Sequence, residues 1–424
     1  MNNTNLVIKE FDKQIKNKFN VYNSLFLNLP YPNINNIGIL IPLLYNVCKA
    51  GLQSGKDPLE TLDSFFDMHT NLKSEQEKID FMFRIVQYVE RQIVLYDSVE
   101  DAAFKEISKL KTNLSLKENM HLFNENKVYE NLSSFSTRIV FTAHPTQFYP
   151  PSVLNIIAKL RLLITNNDIN EIDTSLRQLG LTSFINSTKP TPFEEAKNII
   201  YFLRNVYYNA ASELYSNIKK NLKSNNFDNP NILQFGFWPG GDRDGNPFVT
   251  SKTTMDVADE LRMTLMKCYY NDIKILQKKL TFRKVEELVS NLRTKLYETM
   301  FNPNITISFE EIINPLYLIK QSLINDYTSL YIEELDNLID KVKIFRTHFA
   351  ILDIRQNHSI HEQVVEAILT KEKVIQNSLK ELKKEELIST LLYKEIKVNA
   401  NDFTEEIIKD TIENIAQIKL IQNK

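Results

Sequence analysis

The most regular pattern along this chain is helical, with apolar residues returning every three or four positions. At residues 74–77 the Ser74-x-x-Glu77 spacing of a capping box opens one such run, which predicts a helix with one apolar face. The apolar residues that return on this face are Met82, Ile85, Val86, Val89, Ile93 and Tyr96. The stretch therefore predicts an amphipathic helix over residues 74–96.

A second helix start lies at Thr191, where a capping hydroxyl is followed by Pro192 and by Glu194, a glutamate that can reach back to the cap. The apolar residues that then supply the buried stripe are Ala196, Ile199, Ile200, Leu203 and Tyr207. Nearer the end of the chain, residues 362–424 contain neither glycine nor proline. They predict successive helices joined by short polar turns such as residues 398–401.

Three short segments depart from this helical background and have the composition of strands. They are residues 138–143, 232–237 and 347–354, and each runs into polar residues at its carboxyl end. Long helical stretches separate them, so they match strand-helix-strand units of a parallel sheet or a closed barrel, in which reactive groups collect at the carboxyl ends of strands. Because side chains alternate along a strand, Asp353 and Arg355 should share a face.

Glycine is rare in this chain and unevenly placed. Four of the eight glycines lie within residues 236–245, and none follows that window. Glycine weakens regular structure, so a chain that clusters four of so few is shaping a tight backbone bend. The same window carries the only tryptophan, Trp238, together with Asp242, Arg243 and Asp244. We therefore expect a ligand to bind here.

Composition indicates a soluble globular protein. The 424 residues are 43% hydrophobic and 25% charged, with a formal net charge of -2, so the basic surplus that holds nucleic acid is missing. Cys48 and Cys268 offer neither a disulfide framework nor metal-ligand spacing, which fits a reducing compartment. The longest apolar stretch, residues 37–48, is interrupted by Pro42 and is too short to span a bilayer. We expect a cytoplasmic protein that binds neither nucleic acid nor membranes.

The three strand ends carry motifs that resemble those of a known enzyme family. VFTAHPTQ at 140–147, FWPGGDRDGNP at 237–247 and LDIRQN at 352–357 are similar to motifs in the N-terminal half of phosphoenolpyruvate carboxylase, and they occur in the same order. TPFEEAK at 191–197 resembles a further segment that starts a helix in that family. The resemblance implies a mainly α fold, a large helical protein built around strands of a parallel (β/α) barrel that is incomplete in this chain.

The same resemblance divides the chain into three predicted regions. Residues 1–136 are an N-terminal helical region, and residues 137–360 carry the barrel strands, the three motifs and the intervening helices. Residues 361–424 are a C-terminal helical segment, truncated before the rest of the enzyme. The later family motifs, a phosphate loop rich in glycine and arginine and the acidic metal-site segments, are not found in this sequence.

The resemblance also implies a reaction. The family carboxylates phosphoenolpyruvate with bicarbonate in a magnesium-dependent reaction that gives oxaloacetate and phosphate, an anaplerotic supply to the tricarboxylic acid cycle. Bicarbonate attacks the phosphoryl group to give carboxyphosphate and an enolate, and a histidine then takes a proton so that carbon dioxide is released beside the enolate. We expect the Mg²⁺ ligands outside this chain. The assembly implied is a homotetramer.

His144 stands where the family has its proton-transfer histidine. An unperturbed imidazole titrates at about pH 6.5, so it can accept and return a proton at neutral pH. The alternative is a histidine that is merely hydrogen-bonded at a strand end.

Four further residues are substrate-binding candidates by the same resemblance. Arg355 stands where the family holds the phosphate or carboxylate of the substrate, and a guanidinium fork can bind either anion in a bidentate way. Gln356 beside it is a further candidate. Trp238 would form part of the bicarbonate or substrate pocket, and Arg243 would bring positive charge to the reacting phosphate. The alternative for Arg355 is an ion pair with Asp353 on the same strand face.

Other polar residues near the motifs have structural alternatives. Asp242, Asp244 and Asn246 alternate in the manner of a calcium loop. Pro247 and Thr253, however, stand where such a loop needs glycine and a bidentate acid, so that interpretation fails. The alternative for the three residues is Asx-turn bonding that fixes the loop.

Three histidines surround the third strand, His348, His358 and His361, with the last two on one helical turn. We do not interpret them as a metal site, because exposed histidines after a strand are ordinary and the family binds magnesium through oxygen ligands. Asn357 stands where the family has an acidic residue, so its role stays open.

The leading hypothesis is the N-terminal part of a phosphoenolpyruvate carboxylase that holds the proton-transfer histidine and one substrate arginine. The alternative is a catalytically inactive helical fragment or split subunit that assembles with a second chain carrying the metal site. An independent phosphotransferase is a third class, but no pair of magnesium-binding carboxylates can be identified for it.

Overall fold

The computed structural model describes residues 2–28, 37–120, 125–142, 149–184, 190–222, 227–375, 378–379, 383–393 and 396–424. Most of these residues are helical. The helices are α1 (Asn2–Asn23), α2 (Ile37–Gln53), α3 (Pro58–His69), α4 (Glu75–Met120), α5 (Glu125–Ser134), α6 (Pro151–Asn166), α7 (Ile169–Leu181), α8 (Pro192–Phe202), α9 (Tyr208–Asn221), α10 (Ser251–Gln277), α11 (Val285–Thr299), α12 (Phe309–Asp326), α13 (Ile332–Phe345), α14 (His358–Lys371), α15 (Lys384–Tyr393) and α16 (Glu406–Gln422). The strands are β1 (Thr137–Phe141), β2 (Leu233–Phe237) and β3 (Ile351–Leu352).

The chain forms two compact units, which we describe separately. The first comprises Met1–Asn119 and Thr146–Thr188, and the second comprises Met120–Pro145 and Lys189–Lys424. Each has an apolar core of its own. The three regions expected from the sequence, divided after residues 136 and 360, stay a prediction.

The first unit packs α1 to α4 with α6 and α7 around a core that includes Phe26, Phe65 and Leu95. Its longest helix, α4, begins with the predicted capping box. The Ser74 hydroxyl accepts the backbone N–H of Glu77 at 3.3 Å, and the Glu77 carboxylate accepts the N–H of Ser74 at 3.0 Å. These bonds satisfy two of the N–H groups that a helix start leaves without partners.

Helix α4 is apolar on two faces, and the face that packs is not the one marked by the sequence pattern. Phe81, Tyr88 and Leu95 are buried in the first core. Most of the predicted stripe is exposed instead, with Val86 at 53% and Ile93 at 48%. A helical period identifies an apolar face but does not choose between two such faces, because tertiary packing makes that choice.

The second unit contains the sheet. Its strands run parallel in the order β1-β2-β3, with Ile139 opposite Phe235 and Gly236 opposite Ile351. The central strand β2 is largely buried, whereas β1 is exposed along most of its length. The mainly helical fold with parallel strands is thus confirmed. The described residues do not form a closed barrel, so membership of a barrel stays a proposal.

The strands are shorter than the sequence pattern predicts. A 3₁₀ turn at Pro230–Ile232 precedes β2, and β3 is reduced to two residues. Residues 346–350 form turns and bends instead, where Arg346 takes a positive φ of 55° and Phe349 packs its ring 5.4 Å from that of Phe345. Part of the apolar run that alternation alone would assign to a strand is therefore used to pack Phe349 into the core.

The helix predicted from Thr191 begins as expected and then changes its period. Thr191 and Glu194 form the reciprocal capping box, but a π turn at Leu203–Tyr207 separates α8 from α9. The ring of Tyr207 lies 4.9 Å from that of Phe141 and 5.7 Å from that of Phe235. The wider π turn thus occurs where the ring of Tyr207 packs onto the sheet. A regular 3.6-residue repeat does not predict such a turn.

The C-terminal region is helical as predicted, with α14, α15 and α16 following one another. In the polar turn before α16 the side chain of Asn399 accepts the N–H of Asn401 at 3.1 Å. Across the part of the chain that the structure describes, no helix combines the length and the apolar character needed to cross a bilayer.

Candidate active site

The carboxyl ends of the three strands lie side by side in the second unit. The backbone N–H of Trp238, just after β2, donates to the carbonyl oxygen of Phe141 at the end of β1, at 2.9 Å. On the other side, the N–H of Asp353 after β3 donates to the carbonyl oxygen of Phe237 at 2.9 Å. The parallel register thus continues past the strands and brings all three motif segments to one edge of the sheet.

The glycine-rich loop is held against the third motif by its backbone. The N–H of Arg243 donates to the carbonyl oxygen of Arg355, and the N–H of Arg355 donates to that of Gly241, both at 2.9 Å. A Cβ on Gly241 would overlap the carbonyl oxygen of Asp353, so only glycine permits this approach. Gly240 and Gly245 have φ of 77° and 75°, and they make the bend that the glycine cluster predicted.

Two predicted site residues from different motifs meet at this edge. The guanidinium carbon of Arg355 lies 4.2 Å from the ring centroid of Trp238, in a cation–π contact. Nη1 of Arg355 donates to Oδ2 of Asp242 at 3.1 Å, and 43% of the arginine side chain is exposed. The guanidinium is therefore oriented by a ring and one carboxylate while a large part of it stays open to solvent.

The alternative for Arg355, an ion pair with Asp353, is wrong, because each of the two residues pairs with a different partner. Oδ1 of Asp353 accepts from Nη2 of Arg138 on β1 at 2.7 Å, and Asp242 takes the place beside Arg355. Residues two apart on a strand face are close enough to pair. Here, however, side chains from β1 and from the glycine-rich loop supply the partners.

Arg243 is placed quite differently from Arg355. Its side chain is only 3% exposed, and Nη2 forms an ion pair with Oδ2 of Asp410 on α16. The other carboxylate oxygen of Asp410 accepts the N–H of Ser251, the first residue of α10, at 2.7 Å. Among the described residues Nε and Nη1 of Arg243 find no hydrogen-bond partner. Sequence reasoning missed Asp410, which lies 167 residues along the chain in an ordinary helical pattern.

The proton-transfer candidate His144 lies outside the described residues. The structure follows its strand as far as Thr142, and Phe141 is the residue that bonds to the backbone of Trp238. The position of His144 relative to Trp238 and Arg355 therefore stays a prediction.

Structural hydrogen bonds involve three further motif residues, Gln356, Asn357 and Asn246. Gln356 accepts the N–H of Asn357 through its side-chain oxygen at 2.9 Å. Asn357 is the N-cap of α14, where its side chain accepts the N–H of Ser359 at 3.0 Å, which answers the question of its role. Asn246 forms the expected Asx-type bond to the N–H of Phe248 at 3.2 Å.

The carboxylates at this edge do not fit a magnesium site. Asp242 is paired with Arg355 and Asp353 with Arg138, whereas a magnesium ion is bound by carboxylates free to coordinate it. Oδ1 of Asp242 is buried without a hydrogen-bond partner among the described residues, but a single oxygen is not a ligand set. No group of three or more metal-binding side chains occurs in the described ranges.

His348 differs from the other two histidines of its region. Burial lowers its pKa from 6.5 to about 4, with the nearby Arg262 acting in the same direction. Its Nδ1 lies 3.1 Å from the Thr347 hydroxyl. The ring is therefore neutral at physiological pH.

The fold and the site together define a class of protein, a mainly helical one with an open arginine at the carboxyl ends of parallel strands. A family model described as phosphoenolpyruvate carboxylase matches residues 73–308 and 298–424. The chain therefore belongs to the phosphoenolpyruvate carboxylase family, and the resemblance seen in the three motifs is confirmed.

Individual relatives are distant and longer than the chain. A phosphoenolpyruvate carboxylase of Shewanella sediminis is 26% identical over 287 residues, which are 57% of this chain and 33% of that protein. Phosphoenolpyruvate carboxylase 3 of Arabidopsis thaliana is 27% identical over 310 residues, covering 57% of this chain and 32% of its own. For phosphoenolpyruvate carboxylase 1 of Zea mays the values are 26%, 312 residues, 58% and 32%. The chain thus spans about a third of the length of the curated relatives it matches.

Proposed function

We propose that this chain is part of a phosphoenolpyruvate carboxylase, a carboxy-lyase that forms oxaloacetate and phosphate from phosphoenolpyruvate and bicarbonate. The observation that carries the proposal is the contact between Arg355 and Trp238 where the three motif segments converge. An open guanidinium beside an aromatic wall suits a substrate that carries two anionic groups on a small apolar frame.

Arg355 binds the phosphate or carboxylate of phosphoenolpyruvate in this proposal. Asp242 and Trp238 hold its guanidinium in one orientation, so less side-chain entropy is lost when the anion arrives. Trp238 also gives the pocket an apolar wall that keeps water from the reacting atoms. Gln356, which follows Arg355 directly, is placed beside the substrate.

Arg243 contributes positive charge from inside the loop. Its unpartnered Nε and Nη1 are available to a small anion or a bound water, while Asp410 keeps the guanidinium in place. His144 takes the proton that allows carbon dioxide to be released beside the enolate. Mg²⁺ would supply charge neutralisation for the phosphorylated substrate, through ligands that we expect outside these residues.

The proposal can be tested with the single tryptophan as a local probe. Phosphoenolpyruvate added to the purified 424-residue chain should change the emission of Trp238, and Arg355→Ala should weaken the apparent affinity at least about tenfold, as for loss of a charge-assisted bidentate contact. Lys295→Ala is the matched control, because it removes a cation from an exposed ion pair between α11 and α12. If Arg355→Ala and Lys295→Ala bind phosphoenolpyruvate equally well, Arg355 has no part in binding it.

The second candidate function is a catalytically inactive helical chain or split subunit that assembles with another chain carrying the metal site. The exposed sheet favours it. Val140 on β1 is 40% exposed and Ile351 on β3 is 53% exposed, although apolar strands of parallel sheets are normally covered. Oxaloacetate formation by the purified chain with Mg²⁺, phosphoenolpyruvate and bicarbonate tests this second candidate. We expect none from the chain alone, and turnover would rule out the inactive role.

A cytoplasmic location and a homotetrameric assembly complete the proposal. The location follows from the cysteine content and the apolar pattern of the sequence, and the assembly follows from the family resemblance. They are tested by fractionation and by light scattering of the purified protein. A monomer at all concentrations would contradict the assembly.

A further inference from the structure

An arginine outside the three motifs crosses the sheet to reach one of them. Arg138 lies on β1, and its Nη2 donates to Oδ1 of Asp353 after β3 at 2.7 Å. The strand between them is β2, and the guanidinium passes over it at Gly236. A Cβ on Gly236 would come within 2.8 Å of Nε and 3.1 Å of Nη2 of Arg138. A Cβ at this position would therefore require the guanidinium to move from its present path.

Without Arg138, Asp353 has a second arginine close at hand. Arg355 lies two residues further along, on the same side of an extended segment. It is already paired with Asp242 at 3.1 Å and stacked on Trp238. A second carboxylate would make this cluster of side chains net negative and draw the guanidinium from the ring. A guanidinium between two carboxylates is a poor receptor for an anionic ligand.

We propose that Arg138 is a positioning residue that holds Asp353 away from Arg355 and so leaves Arg355 open to an anion. Gly236 is part of the same arrangement, because it provides the passage for the guanidinium. The half-exposed state of this pair, 36% for Arg138 and 26% for Asp353, makes its stabilising energy small. Its effect is on the choice of partners around Arg355. The inference rests on the proposed role of Arg355 as an anion-binding residue.

The first readout is the emission of Trp238 without any ligand, because the indole reports the position of Arg355. Arg138→Gln should change the emission maximum or quantum yield, and the double variant Arg138→Gln/Asp353→Asn should return it to the value of the unchanged protein. Gly236→Ala alters no charge and should reproduce the change, again reversed by Asp353→Asn. A Trp238 spectrum unaffected by Arg138→Gln and by Gly236→Ala would overturn the inference.

The second readout is the affinity for inorganic phosphate and for phosphoenolpyruvate, measured by the same emission. Arg138→Gln and Gly236→Ala should each weaken binding about threefold to fivefold, the range of one half-exposed ion pair, and Asp353→Asn should restore it. A loss in Arg138→Gln without one in Gly236→Ala would be an effect of charge alone and would contradict the positioning role. Lys295→Gln controls for the loss of a distant cation in an exposed pair.

The two readouts keep the two proposals apart. If the unchanged protein binds neither phosphate nor phosphoenolpyruvate, the anion-binding role of Arg355 fails. The ligand-free spectra still decide whether Arg138 controls the partners of Arg355.

Discussion

Arg355 and Arg243 lie where the glycine-rich loop contacts the third motif, and their side chains have opposite environments, one exposed and one buried. Arg355 is 43% exposed, rests on an aromatic ring and shares one carboxylate at 3.1 Å. Arg243 is 3% exposed and is paired with Asp410. The exposed arginine keeps a large part of its hydration and can exchange partners at little cost. The buried one depends on its carboxylate, because an unpaired charge in the interior is expensive. The same residue type thus stabilises the loop in one place, at Arg243, and is proposed to bind substrate in the other, at Arg355.

Removing the partner of the buried arginine should have the largest effect. Asp410→Ala leaves the guanidinium of Arg243 without a counter-charge and the N–H of Ser251 without its acceptor. We expect the free energy of unfolding to fall by about 3–5 kcal/mol. Asp242→Ala is the matched change at the exposed arginine and should cost less than about 1 kcal/mol. Denaturant unfolding measures both, and equal losses would mean that burial does not separate the two arginines.

A partly buried histidine in the same unit extends the comparison to pH. In the folded protein burial lowers the pKa of His348 from 6.5 to about 4, whereas in the unfolded chain the ring titrates normally. Between pH 6.5 and 4 the unfolded state therefore binds more protons, so stability falls as the pH falls. The loss should approach about 3 kcal/mol by pH 4.

The check on His348 is unfolding measured across this pH range. The variant His348→Gln should show a flatter dependence than the unchanged protein between pH 6.5 and 4. An identical slope in both proteins would assign the acid sensitivity to other groups.

Substitution of glycines in the loop that contains Arg243 should have a smaller effect on stability. Gly241→Ala places a Cβ against the backbone carbonyl of Asp353, and it should lower the free energy of unfolding by about 1–3 kcal/mol. Gly245→Ala meets open space and only strains a φ of 75°, so we expect about 1 kcal/mol. Thermal or denaturant unfolding of the pair tests the order, and a greater loss at Gly245 would show that close approach is not what demands glycine.

The smallest change is Arg355→Lys, which keeps the charge and removes the fork. Affinity for phosphoenolpyruvate should fall by about tenfold because an ammonium cannot bind an anion in a bidentate way. The free energy of unfolding should stay within about 0.5 kcal/mol, as for other exposed substitutions. A titration followed by Trp238 emission and an unfolding curve together distinguish binding from stability. Unchanged affinity would mean that a point charge is sufficient.

Local features were predictable because their physics involves few neighbours. The capping boxes at Ser74 and Thr191 rest on bonds between residues three apart, and both formed as the sequence implied. The bend around Gly240 needed only the backbone freedom of glycine. The motif order likewise placed Trp238 and Arg355 at one sheet edge, through the general behaviour of parallel strands.

Choices among distant partners were not predictable in this way. The pattern in α4 identified a helix but marked a face that is largely exposed, because Val86 and Phe81 are both apolar and only packing tells them apart. Only two residues of the apolar run predicted as the third strand form β3, because Phe349 packs against Phe345 instead. Alternation along a strand describes one chain segment and does not include competition from others.

From the order of its residues alone, this chain specified where helices begin, where the backbone bends and which motif ends each strand, since each depends on interactions within a few positions. Folding in three dimensions selected Asp353 as the partner of Arg138, 215 residues away, and Asp410 as that of Arg243, 167 residues away. An ion pair forms between whichever charged groups the packing brings within reach. Those distances are set by the sheet register and by the docking of α16, neither of which is written in any single segment.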